Sequence, residues 1–136
     1  MDTKIRIFIK TYKTGKSFDS FSCVVMGDNG KRGKIFETGL AGTGMSRHRI
    51  TLEAIRRFIQ SIKDTRDHEG YRLIFYADND EIAYEWNKEH MTDGTFSEST
   101  EDLDLYNLII RQLKRKNLTM EVIGKDSFLS SMRSIV

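Results

Sequence analysis

Apolar and polar positions along the chain alternate in two rhythms, one with a period of two and one with a helical period, and turn residues separate them. Ile5-Arg-Ile-Phe-Ile9 alternates and then stays apolar, the pattern of a strand buried on at least one face. Thr14-Gly15-Lys16-Ser17 supplies turn chemistry, and Phe18 to Met26 predicts a second strand antiparallel to the first. Gly27-Asp28-Asn29-Gly30 is a tight-turn signal, after which Gly33 to Gly39 predicts a short third strand that completes a meander. Ser46 is placed to cap a helix running to about Lys63. In it Ile50, Ala54, Ile55, Phe58, Ile59 and Ile62 form one buried stripe, and Glu53, Arg56, Arg57 and Lys63 fall mostly away from it. Leu73 to Ala77 is a nearly continuous apolar run, as in a central strand covered on both faces, and Asp78 interrupts it. Ile82, Ala83 and Trp86 then predict a helix from about residue 80, with their spacing favouring core packing of Trp86. A polar, acidic stretch from Asn87 to Asp102 reads as a loop. Leu105, Leu108, Ile109 and Leu113 predict a second long helix, with Arg111, Lys114, Arg115 and Lys116 near its negative end. Leu118 to Ile123 is a fifth strand, Gly124 ends it, and Ser127 to Val136 predicts a short last helix. A meander followed by alternating helices and strands predicts an α/β architecture: a mixed five-stranded sheet, with an antiparallel three-strand meander plus two parallel strands and helices on its faces.

Length and composition narrow this picture. A chain of 136 residues suits a single domain spanning 1–136 with one core. The lone Cys23 lies in a strand-like run and is read as a core residue, which excludes an internal disulfide or a cysteine metal cluster. No apolar run approaches the roughly 18 residues of a membrane span, and the first residues lack the apolar region of a signal peptide. A soluble, cytoplasmic protein with no membrane partner is the expectation.

The net charge of +2 conceals a segregation. Residues 1–66 carry 14 Lys and Arg against 6 Asp and Glu, residues 67–104 carry 2 against 12, and residues 105–136 carry 6 against 2. A basic block of this kind fits either a nucleic-acid-facing surface or a solvated face. Arg47, His48 and Arg49 fall at the amino terminus of the first long helix, a natural place to receive a phosphate, and Lys13 adds to that charge. Gly42 and Gly44 lack the third glycine and the later acidic residue of a nucleotide fingerprint, and read as a flexible connection. Asp78 is a helix cap or a functional carboxylate at the carboxyl end of a central strand, where open α/β sheets keep their chemistry.

The order of elements, with the residues at their junctions, resembles ribonuclease HI and the ribonuclease H-like family over nearly the whole chain. Ile5 to Thr11 resembles the family's first strand, where an Asp followed by Gly stands at the places of Lys10 and Thr11. Ser46 to Ala54 resembles the opening of its first helix, where a Glu stands at the place of Thr51. Phe75-Tyr-Ala-Asp78-Asn is similar to the Thr-Asp-Ser that ends its fourth strand, and Val122-Ile-Gly124-Lys125 to the strand end where the family has Gly-His. A last Asp falls about ten residues further on, near Ile135.

The resemblance implies a site whose carboxylates hold two divalent ions for phosphodiester hydrolysis. Of the four acidic positions it implies, Asp78 alone is acidic here. Magnesium needs hard oxygen ligands, which the Lys10 ammonium cannot supply. Glu53 lies about 200° round the helix from Thr51 and does not replace it, while Asp19 and Asp126 are acidic groups of unassigned position. The expected site is a vestigial pocket of Lys10, Thr51, Asp78 and Lys125, with Lys10 and Asp78 forming an ion pair, no catalytic residue, no metal and no cofactor. Lys13, Arg47, His48 and Arg49 are its candidate nucleic-acid contacts. The expected function is that of a catalytically degenerate, non-catalytic module for interaction or nucleic-acid binding, with a protein or a nucleic acid as partner. The alternative is a metal-dependent ribonuclease acting on RNA–DNA hybrid through relocated ligands, using Mg or Mn.

Overall fold

Period-two alternation places the strands. The computed structural model describes residues 4–14, 17–26, 32–39, 46–62, 71–87, 96 and 100–126, without the side chains of 13–14, 17–20, 22–26 and 32–39. The expected last helix, Lys13's side chain, Asp19, Cys23's packing and most of the acidic loop lie outside this set. The strands are β1 (Lys4–Thr14), β2 (Ser17–Met26), β3 (Arg32–Gly39), β4 (Arg72–Ala77) and β5 (Thr119–Ile123). They form one sheet in the order β3-β2-β1-β4-β5. β1 pairs antiparallel with β2, and β2 with β3, while β4 runs parallel to both β1 and β5.

Along β1 and β4 the odd-numbered residues Ile7, Ile9, Leu73, Phe75 and Ala77 enter the main core. The even-numbered Phe8 and Tyr76 stack on each other, their ring centroids 4.6 Å apart, so successive residues take opposite faces as the strand pleat requires. Two long helices, α1 (Arg47–Ser61) and α3 (Leu103–Lys116), pack against each other and close the core with Ile50, Ile55, Ile59, Leu105, Ile109 and Leu113. The short α2 (Glu81–Glu85) follows β4 and contributes Ile82 and Ala83. Among the described residues no helix is long and apolar enough to cross a membrane.

The helix ends show where local signals decided the structure. Ser46 caps α1, its Oγ accepting from the Arg49 N–H at 3.1 Å. Asn117 ends α3 in the left-handed region at φ 54, and the Leu118 N–H returns to the Leu113 carbonyl at 2.9 Å. Asparagine tolerates that conformation better than most residues. Glu53 departs from its expected exposed place: it is buried under Arg56 and Arg57, which donate to its carboxylate at 2.9–3.1 Å. Burial alone would raise its pKa, but the two guanidinium groups outweigh it and hold the carboxyl below its usual range.

Lys116 lies in the last turn of its own helix, as expected, but its side chain serves another. It is 6% exposed, and its Nζ donates to the carbonyls of Ile59 at 2.8 Å, Gln60 at 3.3 Å and Ile62 at 2.5 Å. These are terminal carbonyls of α1, which has no basic residue in its own last turn. The ammonium of one helix therefore satisfies the orphan acceptors and negative pole of another. Lys116→Met is expected to lower unfolding stability by about 2 kcal/mol, because a charged donor is lost and buried acceptors are left unpaired. Lys114→Met, on the exposed side of the same turn, should stay within about 0.5 kcal/mol. Urea denaturation of the two variants checks this.

Candidate functional site

The pairing of β1 with β4 ends at Ile9 and Ala77, yet β1 continues to Thr14. The Thr11 N–H therefore points past the end of its neighbour, and Asp78 receives it at 2.8 Å on Oδ2. The Thr11 hydroxyl lies 3.1 and 3.2 Å from the two oxygens of the same carboxylate. Asn79, buried beside it, donates through Nδ2 to Asp78 Oδ1 at 3.2 Å and to Thr51 Oγ1 at 3.1 Å. Its Oδ1 accepts from the Glu81 N–H at 3.3 Å and so helps to begin α2. Thr51 is fully buried and donates to the Arg47 carbonyl at 2.8 Å. Thr11, Asp78, Asn79 and Thr51 thus form one hydrogen-bonded unit joining β1, β4 and α1.

Lys10 is not part of that unit. The expected ion pair with Asp78 gives way to strand alternation: Thr11 shares the buried face of Ile7 and Ile9, so Lys10 is turned to the other face. There its exposed ammonium lies 5.5 Å from the centroid of the Tyr12 ring. Lys125 enters by its backbone, whose N–H donates to Asp80 Oδ1 at 2.7 Å, while its side chain is exposed. A Cβ on the neighbouring Gly124 would lie 2.1 Å from that same oxygen, so any larger residue there would displace the Asp80 carboxylate from the Lys125 N–H.

A second cluster gathers at the start of α1. His48 is buried, with Nδ1 2.7 Å from Asp102 Oδ2 and Nε2 hydrogen-bonded to Glu85 Oε1. The Tyr106 hydroxyl donates to Glu85 Oε1 at 2.7 Å. Arg49 donates to Asp102 at 2.8 Å and to Asp104 at 3.1 Å. Its hydrogen bonds to Asp104 and Asp102 raise the guanidinium pKa further, and Arg49 in turn lowers that of Asp104. Two of the expected phosphate-binding residues, His48 and Arg49, are therefore engaged by carboxylates of the chain itself. Arg47 remains exposed in the first turn of α1.

The two clusters differ in the metal-ligand atoms that they offer. At the strand ends the two threonines and Asn79 offer neutral oxygens, and Asp78 is the one carboxylate in the unit. Ligand-type atoms of His48, Glu101 and Asp102 lie within 4.8 Å of one another. Both nitrogens of His48 and both oxygens of Asp102 already engage protein partners. A separate concavity of about 730 Å³ opens between α3, β5 and the end of α2, lined by Trp86, Leu113, Lys114 and Met120 among others. It shares no residue with either cluster.

No protein-family model and no curated protein matches the sequence. Solved structures do. The foamy virus protease–reverse transcriptase in complex with RNA/DNA hybrid superposes with a TM-score of 0.64 at 9% identity. That match covers 98% of this chain and only 18% of the viral one. The N-terminal RNase H domain of a Mycobacterium tuberculosis protein superposes with a TM-score of 0.59 at 10% identity, covering 96% of this chain and 94% of that one. The foamy virus RNase H domain in solution gives 0.51 at 11% identity, over 88% of this chain and 77% of the other. The chain has the ribonuclease H-like fold.

Within this ribonuclease H-like domain, sequence reasoning missed Thr11, Asn79 and Glu85. The alternation Ile7, Ile9, Thr11 was the available signal for the first. Nothing local marks the links of Asn79 to Thr51 and of Glu85 to His48, which span 28 and 37 residues. Thr51→Val is expected to cost about 1–2 kcal/mol, since the Asn79 amide loses its buried acceptor. Chemical denaturation against wild type, with the exposed Lys114→Met as the control that stays within about 0.5 kcal/mol, is the check.

Proposed function

We propose that this ribonuclease H-like domain engages duplex nucleic acid, with RNA–DNA hybrid as its best partner, and does not cleave it. The observation that carries this reading is the state of Asp78: its carboxylate is occupied by Thr11 and Asn79, and Lys10 and Thr51 stand where the resemblance implies metal-binding acids. Two-metal hydrolysis needs several carboxylates converging on the ions, and one carboxylate already shared by three protein donors does not meet that need. The site works without a metal or other cofactor. The fold supports the nucleic-acid side of the proposal, since one structure sharing it is a complex with RNA/DNA hybrid and another a complex with dsDNA.

Exposed Lys10, Arg47 and Lys125 supply phosphate contacts. His48 and Arg49 do not, because their charge is consumed by Glu85, Asp102 and Asp104. With so few cations, affinity is modest, and the salt slope of log K should be about −3. Fluorescence anisotropy of a labelled hybrid at low salt, followed over time in magnesium or manganese, tests this. The expected result is a stable rise that chelator and Asp78→Asn leave unchanged and that Arg47→Glu weakens about tenfold. A chelator-sensitive decay of the signal would restore the alternative of a metal-dependent hybrid ribonuclease. No rise at micromolar protein would replace nucleic acid by a protein partner.

A further inference from the structure

The His48 cluster does more than occupy two cations. A neutral imidazole carries one N–H and presents a lone pair at its other nitrogen. Both nitrogens of His48 face a carboxylate oxygen, Glu85 on one side and Asp102 on the other. Only the doubly protonated ring donates to both. Each carboxylate belongs to a different element: Glu85 ends α2, and Asp102 is the N-cap of α3.

We propose that His48 is a pH-sensitive rivet that pins the starts of α1 and α3 and the end of α2 together, and that loses its hold on Asp102 when the ring gives up a proton. The choice of Asp102 follows from the partners that remain. Asp102 keeps a guanidinium, Arg49 at 2.8 Å, whereas Glu85 keeps only the neutral Tyr106 hydroxyl at 2.7 Å. The single remaining ring proton therefore stays with Glu85, whose charge is less compensated. Among the described residues, the charged and titratable groups around the ring are Glu85 from α2, Glu101 and Asp102 before α3, Asp104 and Tyr106 from α3, and Arg49 beside it. Carboxylates outnumber the one guanidinium, which favours the charged ring.

Asp102 matters mechanically as well as electrostatically. Its backbone is left-handed, at φ 56, and its carboxylate makes no capping bond to its own helix. Its carbonyl instead accepts the Leu105 N–H at 3.0 Å and the Tyr106 N–H at 3.3 Å. His48 thus anchors, through its side chain, the residue whose carbonyl closes the first turn of α3. Burial by itself lowers the His48 pKa, but the hydrogen bonds to Glu85 and Asp102 and the charges of Glu85 and Glu101 outweigh it, so the folded value lies above the usual 6.5. The sign follows: the stabilisation is full below about pH 6.5 and is lost as pH rises through the raised folded value.

Two readouts on the intact chain test the rivet. Nitrogen-15 correlation spectra of the imidazole should show both nitrogens of His48 protonated at pH 6 and one of them at alkaline pH. Amide exchange at Leu105 and Tyr106, corrected for the intrinsic effect of pH, should accelerate about tenfold across that same titration. His48→Gln should abolish the pH dependence of the corrected exchange. A singly protonated ring at pH 6 would overturn the proposal in wild-type protein, whether or not the variant folds. So would corrected exchange that does not change as the ring titrates.

Discussion

The arrangement of the strand ends depends on one orphan donor. β1 outruns β4, so the Thr11 N–H would be left without a strand partner where the sheet closes on α1. A buried or half-buried backbone N–H needs an acceptor, and Asp78 is the first residue beyond β4 that can turn one back. Once the carboxylate is fixed there, Asn79 is brought between it and Thr51, and α1 is tied to the sheet through a buried polar chain. Each link satisfies the next, as a buried network must if it is not to cost more than an apolar contact. Asp78 in this arrangement has a structural task complete in itself. That is why a single acidic residue at this place does not by itself argue for metal chemistry.

Charge is divided between the two clusters in a way that bears on function. The strand-end unit contains one carboxylate and otherwise neutral donors, whereas the start of α1 concentrates three carboxylates around His48 and Arg49. Buried ion pairs gain attraction and lose hydration in comparable amounts, so their clearest effect is to select one geometry. Here the geometry selected joins the starts of α1 and α3 to the end of α2. It also removes positive charge from a helix amino terminus otherwise suited to a phosphate. Lys116 shows the same economy at the other end of α1, where one ammonium from α3 serves the terminal carbonyls.

The elements themselves were determined by the sequence, because the signals that place them are local. Alternation defined β1, a nearly continuous apolar run defined β4, helical spacing defined α1 and α3, and Ser46 and Gly124 marked boundaries that the structure keeps. The order of these elements was also sufficient to suggest the ribonuclease H-like fold, since fold topology follows from element order and short, right-handed connections. Tertiary structure decided which polar groups meet. Lys10 and Asp78 are brought to neighbouring strand ends by the sequence pattern, but the pleat turns the lysine away and presents Thr11 instead. His48 reads as a phosphate ligand until α2 and α3 deliver carboxylates from 37 and 54 residues away. Periodicity records which side of an element faces the core and is silent on which distant side chain lies opposite. The identity of a polar partner is a property of the packed chain.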